Sequence, residues 1–206
     1  VRAAAGEAVT RQSSARRADA VAPLPLRYGA LPADRVRQRI QGWKQALGEF
    51  LGIPPDRVPE DGSTNALVKD RCRALGLSRE QTRKWVAEQF AYFAFLNTYQ
   101  QGGELIDRER GQLELPFTLL DFGGLALLGV PAEILVEVGF EWQQRLDPRL
   151  ALIAGLCNGW IGYLPHESNF RESAQEEKYE TVSTVFSEKA AGRLLDRAEE
   201  LARAGG

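Results

Sequence analysis

The chain has 206 residues, 44% of them hydrophobic and 26% charged, with a formal net charge of −2. This is the balance of a globular protein with one sizeable core, and it lacks the basic excess that nucleic-acid binding leaves in a sequence. No apolar run reaches the roughly 18–20 residues of a membrane-spanning helix. The longest, residues 122–136, is broken by glycines, Pro131 and Glu133.

Residue usage narrows the chemistry further. Cys72 and Cys157 lie far apart and no CxxC is present, which reads as two free, mostly buried thiols. His166 is the single histidine, so a site that needs two histidines cannot be built from this chain alone. There is no methionine, the chain opens on Val1, and no charged segment followed by an apolar leader is visible. These features lead to the expectation that the sequence is a piece of a longer or processed protein.

Along the chain, residues 1–19 are polar and rich in Ala and Arg, without an apolar stripe. Residues 20–32 alternate around Pro23 and Pro25 and read as an extended edge segment, because proline cannot donate to a ladder. Residues 33–52 carry Val36, Ile40, Trp43, Leu47 and Leu51 at helical spacing, with Asp34 as the expected N-cap and Gly52 as the stop. A Pro/Asp/Gly loop (53–64) leads to a short helix at 65–75. Ser78 and Gln81 then form a capping-box pattern, opening a helix to about residue 99. Its stripe of Trp85, Val86, Phe90, Phe93 and Leu96 reads as core packing. Residues 100–112 read as a loop or polar hairpin tip.

The second half changes character. Residues 113–120 and 124–130 read as strands joined by a turn at 121–124. Residues 132–146 read as a helix, and 151–157 as a strand buried on both faces. Residues 181–186 read as a further strand and 187–204 as an amphipathic helix, with Ser187 near its cap. The predicted fold class is therefore α/β (mixed α+β), a helical first half followed by a βαβ-containing sheet half. The segments are 1–32, an arm; 33–112, helical; and 113–206, sheet-bearing, with the last two expected to form one domain.

Residues 124–157 hold strand, helix and strand in the order of a parallel βαβ unit. In such sheets ligands bind beyond the carboxyl ends of the strands. Glu133 follows the first strand end, and Asn158 to Tyr163 follow the second. If the strands are neighbours, Glu133 and Tyr163 open onto one edge of the sheet. Glu133 also reads as a first-turn helix residue complementing the helix dipole. Glu137, one turn on, then shares its face, and the two carboxylates either bind a cation or are simply solvated. Asn158 reads as a turn residue, Tyr163 as an amphipathic core residue, and His166 as a surface residue.

Three ordered blocks, VPAE (130–133), GLCNGWIGY (155–163) and KYETVSTVF (178–186), resemble the neutral/alkaline non-lysosomal ceramidase family and its bacterial relatives. The resemblance covers about residues 113–205. It implies a zinc-dependent amide hydrolase acting on a small-molecule or lipid amide such as an N-acyl lipid, secreted or periplasmic in location. It places the family's metal-binding glutamate on Glu133 and its metal-binding tyrosine on Tyr163. A catalytic tyrosine near the substrate falls on Tyr179, and substrate-binding positions fall on Asn158 and Trp160. The family's two metal-binding histidines lie in an earlier segment that this chain does not contain. This chain is therefore expected to carry part of a zinc site, with the remainder in a missing N-terminal half of the same protein. A non-catalytic relative used as a binding or structural module is the alternative, and an oxygen-only site built on Glu133 and Glu137 is a further one.

Overall fold

The structure is a computed structural model that describes residues 15–100, 105–173 and 178–204. Residues 1–14 of the expected N-terminal arm lie outside the described residues. Strand β1 (Arg16–Pro25) pairs antiparallel with β3 (Gln112–Asp121) along its whole length. The extended reading of residues 20–32 thus holds for the first part of that segment, and the strand begins at Arg16. It sits at a sheet edge with Pro23 and Pro25 in it, where a missing N–H costs no ladder bond.

The main sheet runs β1-β3-β4-β6, with the two-residue β2 (Ile106–Asp107) also pairing with β3. Strand β4 (Leu125–Gly129) is antiparallel to β3 and parallel to β6 (Leu150–Ala154). Helix α4 (Val136–Leu146) connects β4 to β6, so the βαβ unit is present. Between β3 and β4 the chain turns at Gly123, whose φ of 78° suits a residue without Cβ. Asp121 secures that turn by accepting from the Gly123 N–H at 2.8 Å and from Arg149 at 2.6 Å.

One face of the sheet carries the core. Ala22, Leu115, Leu119, Ala126, Leu128 and Ala151 alternate inward and are buried. They pack under α4 and α7 (Ala190–Arg203), which contribute Val138, Trp142, Leu194 and Ala198. Strand β6 is buried on one face only, because α4 and α7 cover one face of the sheet: Leu150 and Leu152, on the other, are 50% and 47% exposed. This corrects the two-sided burial expected from its apolar run. The Gln143 side chain ties β6 to α4, donating to Arg149 O and accepting from Ala151 N at 2.9 and 2.8 Å.

The helical region forms a second core. Helix α1 (Ala33–Leu51) ends at Gly52 in the left-handed conformation, as expected. Its N-cap is Pro32, and Asp34 lies in the first turn, where its charge still suits the helix dipole. Helix α2 (Ser63–Ala74) and helix α3 (Arg79–Phe95) follow, the latter opened by the full Ser78–Gln81 capping box. Leu47, Val68, Cys72, Tyr92 and Leu96 pack together here. The α3 stripe is rotated from expectation: Phe90 and Phe93 are half-buried, whereas Gln89, Tyr92 and Phe95 are buried. The reason is an aromatic cluster from other elements, in which Phe95 meets Trp43, Tyr28 and Tyr99 at 5.1, 5.3 and 4.6 Å between ring centres.

Two further expectations change. Residues 181–186 do not form a strand; residues 179–182 form the short helix α6 (Tyr179–Val182), and Phe186 makes a single bridge to Leu26. The hydroxyls of Thr181 and Ser183 donate to the carbonyls of Lys178 and Tyr179 at 2.9 and 2.7 Å, which gives the backbone a local alternative to a ladder. Glu133 is likewise not in a helix, because α4 starts at Val136.

Candidate functional site

The parallel pairing of β4 and β6 continues beyond both strands. Val130 N donates to Ala154 O, Cys157 N to Val130 O and Leu156 N to Ala132 O, each at 3.0 Å. Ile161 N and Glu133 N then bond to Pro131 O and Gly162 O at 2.9 Å. This lacing delivers the short parallel pair of β5 (Glu133–Ile134) and β7 (Tyr163–Leu164), in which Glu133 stands directly opposite Tyr163. The two strand-end residues therefore meet, as order and spacing predicted, but through a second small ladder.

Local backbone requirements explain the intervening residues. A Cβ on Gly155 would lie 2.9 Å from Ala132 O, so the close approach of the two segments needs glycine there. The loop reverses through Asn158 at φ 63° and Gly162 at φ 97°. Asn158 thus acts as a turn residue, in the role its side chain suits. Trp160 follows on the same loop and is 62% exposed.

Tyr163 is half-buried, and its phenol pKa is pushed up to about 12. Burial is the largest cause. The Glu133 carboxylate adds to it, first as hydrogen-bond acceptor and then as a negative charge, with smaller contributions from Tyr179 and Glu180. The phenol is therefore a protonated donor at neutral pH. Its backbone carbonyl is held by Thr184 Oγ1 at 2.7 Å, and the same Oγ1 accepts from Phe186 N at 3.1 Å.

Tyr179 opens α6 and sets its ring edge-on to Tyr163, with centres 5.4 Å apart and planes at 82°. On its other side it meets Phe90 of α3 at 4.5 Å and 84°. Both are favourable aromatic geometries. Burial again raises the Tyr179 pKa first, followed by the charges of Glu133 and Glu180. Phe90 and Tyr179 line a cleft of about 330 Å³ together with Val86 and Lys178. The structure thus joins Glu133, Tyr163 and Tyr179 in one continuous group and leaves Asn158 and Trp160 on the exposed loop beside it.

Glu137 does not join Glu133. It lies in the first turn of α4 and lines a different cleft, so a shared two-carboxylate face is not formed. The physical reason is the strand conformation of Glu133, which removes the helical spacing on which the pairing rested. His166, expected at the surface, is half-buried on the wall of the cleft that Glu137 lines, with 20% of its side chain exposed and both ring nitrogens hydrogen-bonded. Sequence reasoning missed Phe90 as a neighbour of Tyr179, and missed the Thr184 anchor. The run of Thr and Ser in residues 181–184 was the available signal for the latter.

The donor set decides whether zinc fits these residues. Glu133 and Tyr163 offer two oxygens, and the one histidine is engaged by Ser168 and Glu141. Among the described residues no group of three or more His, Cys, Asp or Glu side chains gathers. A zinc centre draws four ligands, or three and a water, mostly nitrogen and sulfur. The residues present do not by themselves make one.

No family model matches this chain, and no characterised protein matches it in sequence. Among the solved structures similar to it are two ceramidases. One is a neutral ceramidase from Pseudomonas aeruginosa, at 22% identity over 45% of this chain and 15% of that one, with a TM-score of 0.38. The other is a ceramidase complexed with C2, at 14% identity over 92% of this chain and 30% of that one, with a TM-score of 0.44. The chain spans under a third of the length of either structure.

Proposed function

We propose that this chain carries the glutamate–tyrosine corner of a ceramidase-like hydrolase acting on N-acyl lipids or related amides. The observation that supports the reading most is the meeting of Glu133, Tyr163 and Tyr179. Three separate sequence blocks resemble the ceramidase family, and the three residues on which that resemblance places the family's metal-binding and catalytic groups come together in the fold. In this reading Glu133 is a fixed acceptor. Tyr163 is a donor whose proton is retained at neutral pH, and Tyr179 and Phe90 form an apolar wall for the substrate. The further ligands that zinc requires come from polypeptide outside these 206 residues. A secreted or periplasmic location belongs to the same reading.

The test is on the protein isolated from its native source, read by zinc content and by hydrolysis of a fluorescent N-acyl sphingoid amide. Zinc and turnover are expected together, both lost in Glu133→Ala and both kept in Glu137→Ala. The 206-residue chain alone is expected to take up no stoichiometric zinc at micromolar metal. Zinc-free protein with full amidase activity overturns the reading. A second reading is a binding module without amidase activity, since the histidine of this chain is bonded to Ser168 and Glu141 and does not join Glu133 and Tyr163. Binding of the N-acyl lipid without turnover by the native protein selects it.

A further inference from the structure

A second group of side chains lies in another cleft, of about 770 Å³, whose lining includes none of Glu133, Tyr163 or Tyr179. His166 Nε2 is 2.8 Å from Glu141 Oε2, and His166 Nδ1 is 2.8 Å from Ser168 Oγ. The backbone N–H of Ser168 also points at Nδ1, at 3.2 Å. A ring nitrogen that receives an N–H carries the lone pair, so the proton resides on Nε2 and is donated to Glu141. The Ser168 hydroxyl then donates to Nδ1. This is the protonation pattern of a nucleophile, a general base and an orienting carboxylate, recognised by geometry rather than by sequence order.

The carboxylate is itself fixed. Arg145 donates to Glu141 Oε1 from Nε and Nη2 at 2.9 and 2.6 Å, leaving Oε2 for the histidine. Arg145 is anchored in turn to Asp196 and Glu199 of α7 at 2.8 and 3.3 Å. A supporting shell of this kind holds the imidazole in one tautomer and orientation. The cleft also contains Phe140, exposed and apolar, and two cations, Lys189 and Arg193, that form no ion pair among the described residues. Carboxylates outnumber cations on its wall by five to three, which disfavours an anionic substrate.

We propose that Ser168, His166 and Glu141 form a serine-nucleophile site for small uncharged or cationic carboxylic esters, separate from the Glu133–Tyr163 corner. Ser168 Oγ attacks the ester carbonyl carbon as its proton passes to His166 Nδ1. The developing oxyanion forms in the cleft that the Lys189 and Arg193 cations also line. The bond to the alcohol oxygen breaks, and Nδ1 returns the proton to that oxygen. Water then attacks the acyl-serine, giving its proton to Nδ1; the acyl–Oγ bond breaks, Oγ regains the proton, and the carboxylic acid leaves. No metal, oxidant or further reactant enters the balance.

The test uses the intact chain in EDTA, which separates this proposal from the zinc reading. A fluorophosphonate probe is expected to label one residue, located at Ser168 by peptide mass spectrometry, and p-nitrophenyl acetate is expected to turn over. Ser168→Ala should abolish labelling, and His166→Gln and Glu141→Gln should slow it, the former by about 100-fold or more. Unchanged melting of Ser168→Ala shows that the loss is chemical, since that change removes only a hydroxyl. Absence of label on Ser168 in the folded wild-type chain overturns the proposal and leaves the trio as a structural cap. Equal labelling of folded wild-type and His166→Gln protein overturns it as well.

Discussion

The two faces of the main sheet both carry leucines, and those leucines have different fates. On one face Leu115, Leu119 and Leu128 lie under Trp142 and α7 and are inaccessible to water. On the other, the cross-strand row of Leu120, Leu127 and Leu152 ends in a residue that is 47% exposed; Leu150 on the same strand is 50% exposed, and Val21 on the opposite edge strand 46%. The strand edges differ in the same sense. β1 carries two prolines and the exposed Arg17–Asp19 pair, devices that discourage further strand pairing, while β6 reads Leu-Ala-Leu-Ile-Ala without a charge or a proline. An alternating strand says which residues share a face; it does not say which face is covered.

Mutations break this comparison most sharply at its covered side. Trp142→Ala is expected to cost about 3–5 kcal/mol, read by urea denaturation, because a fully buried indole leaves a cavity that α4 and the sheet cannot close. Leu128→Ala should cost about 2–5 kcal/mol by the same measurement. A value near zero for either means that the core is placed wrongly.

Alkaline pH probes where the covered face ends. Tyr163 and Tyr99 both have phenol pKa values raised to about 12, with burial the first cause in each. A folded-state pKa above the unfolded value of about 10 means that the unfolded chain loses its protons first. The stabilisation is therefore complete below pH ~10 and falls away as pH rises towards ~12. Denaturant midpoints across that window should decrease, and a flat profile contradicts the burial of these phenols. Within the same window, Glu133→Gln should move the Tyr163 titration, followed by ultraviolet absorbance, only part of the way back towards the ordinary value. Burial remains after the charge has gone; a complete return assigns the whole shift to the carboxylate.

The smallest effect belongs to the open face. Leu152→Ala is expected to change stability by no more than about 0.5 kcal/mol, as at an ordinary exposed position. A loss as large as that of Leu128→Ala means that the open face is covered in solution, and sedimentation of the wild-type chain then identifies a second copy or a monomer.

Much of this molecule was legible in its sequence where the signal is local. The helical spacing from Val36 to Leu51, the Ser78–Gln81 box and the Gly52 stop each act through their own neighbours, and each stands as read. The βαβ order was also legible, because a helix between two apolar runs leaves few topologies. It brought Glu133 and Tyr163 to one place before any coordinates did. The failures have two causes, one local and one tertiary. Residues 181–186 have the side chains of a strand, yet their hydroxyls bond nearby carbonyls and residues 179–182 form a turn of helix. Glu133 has a helix ahead of it, yet pairing with β7 keeps it extended.

The sequence by itself determined most of the helices, the alternation of the main strands, and the nearness of Glu133 and Tyr163 to strand ends, because these follow from residue periodicity and backbone preference. Only the tertiary structure decided that β5 and β7 form a second ladder, that Tyr179 meets Tyr163 and Phe90, and that Glu141 turns its free oxygen to His166. Those contacts join residues distant in the chain, and their geometry is fixed by how the elements pack.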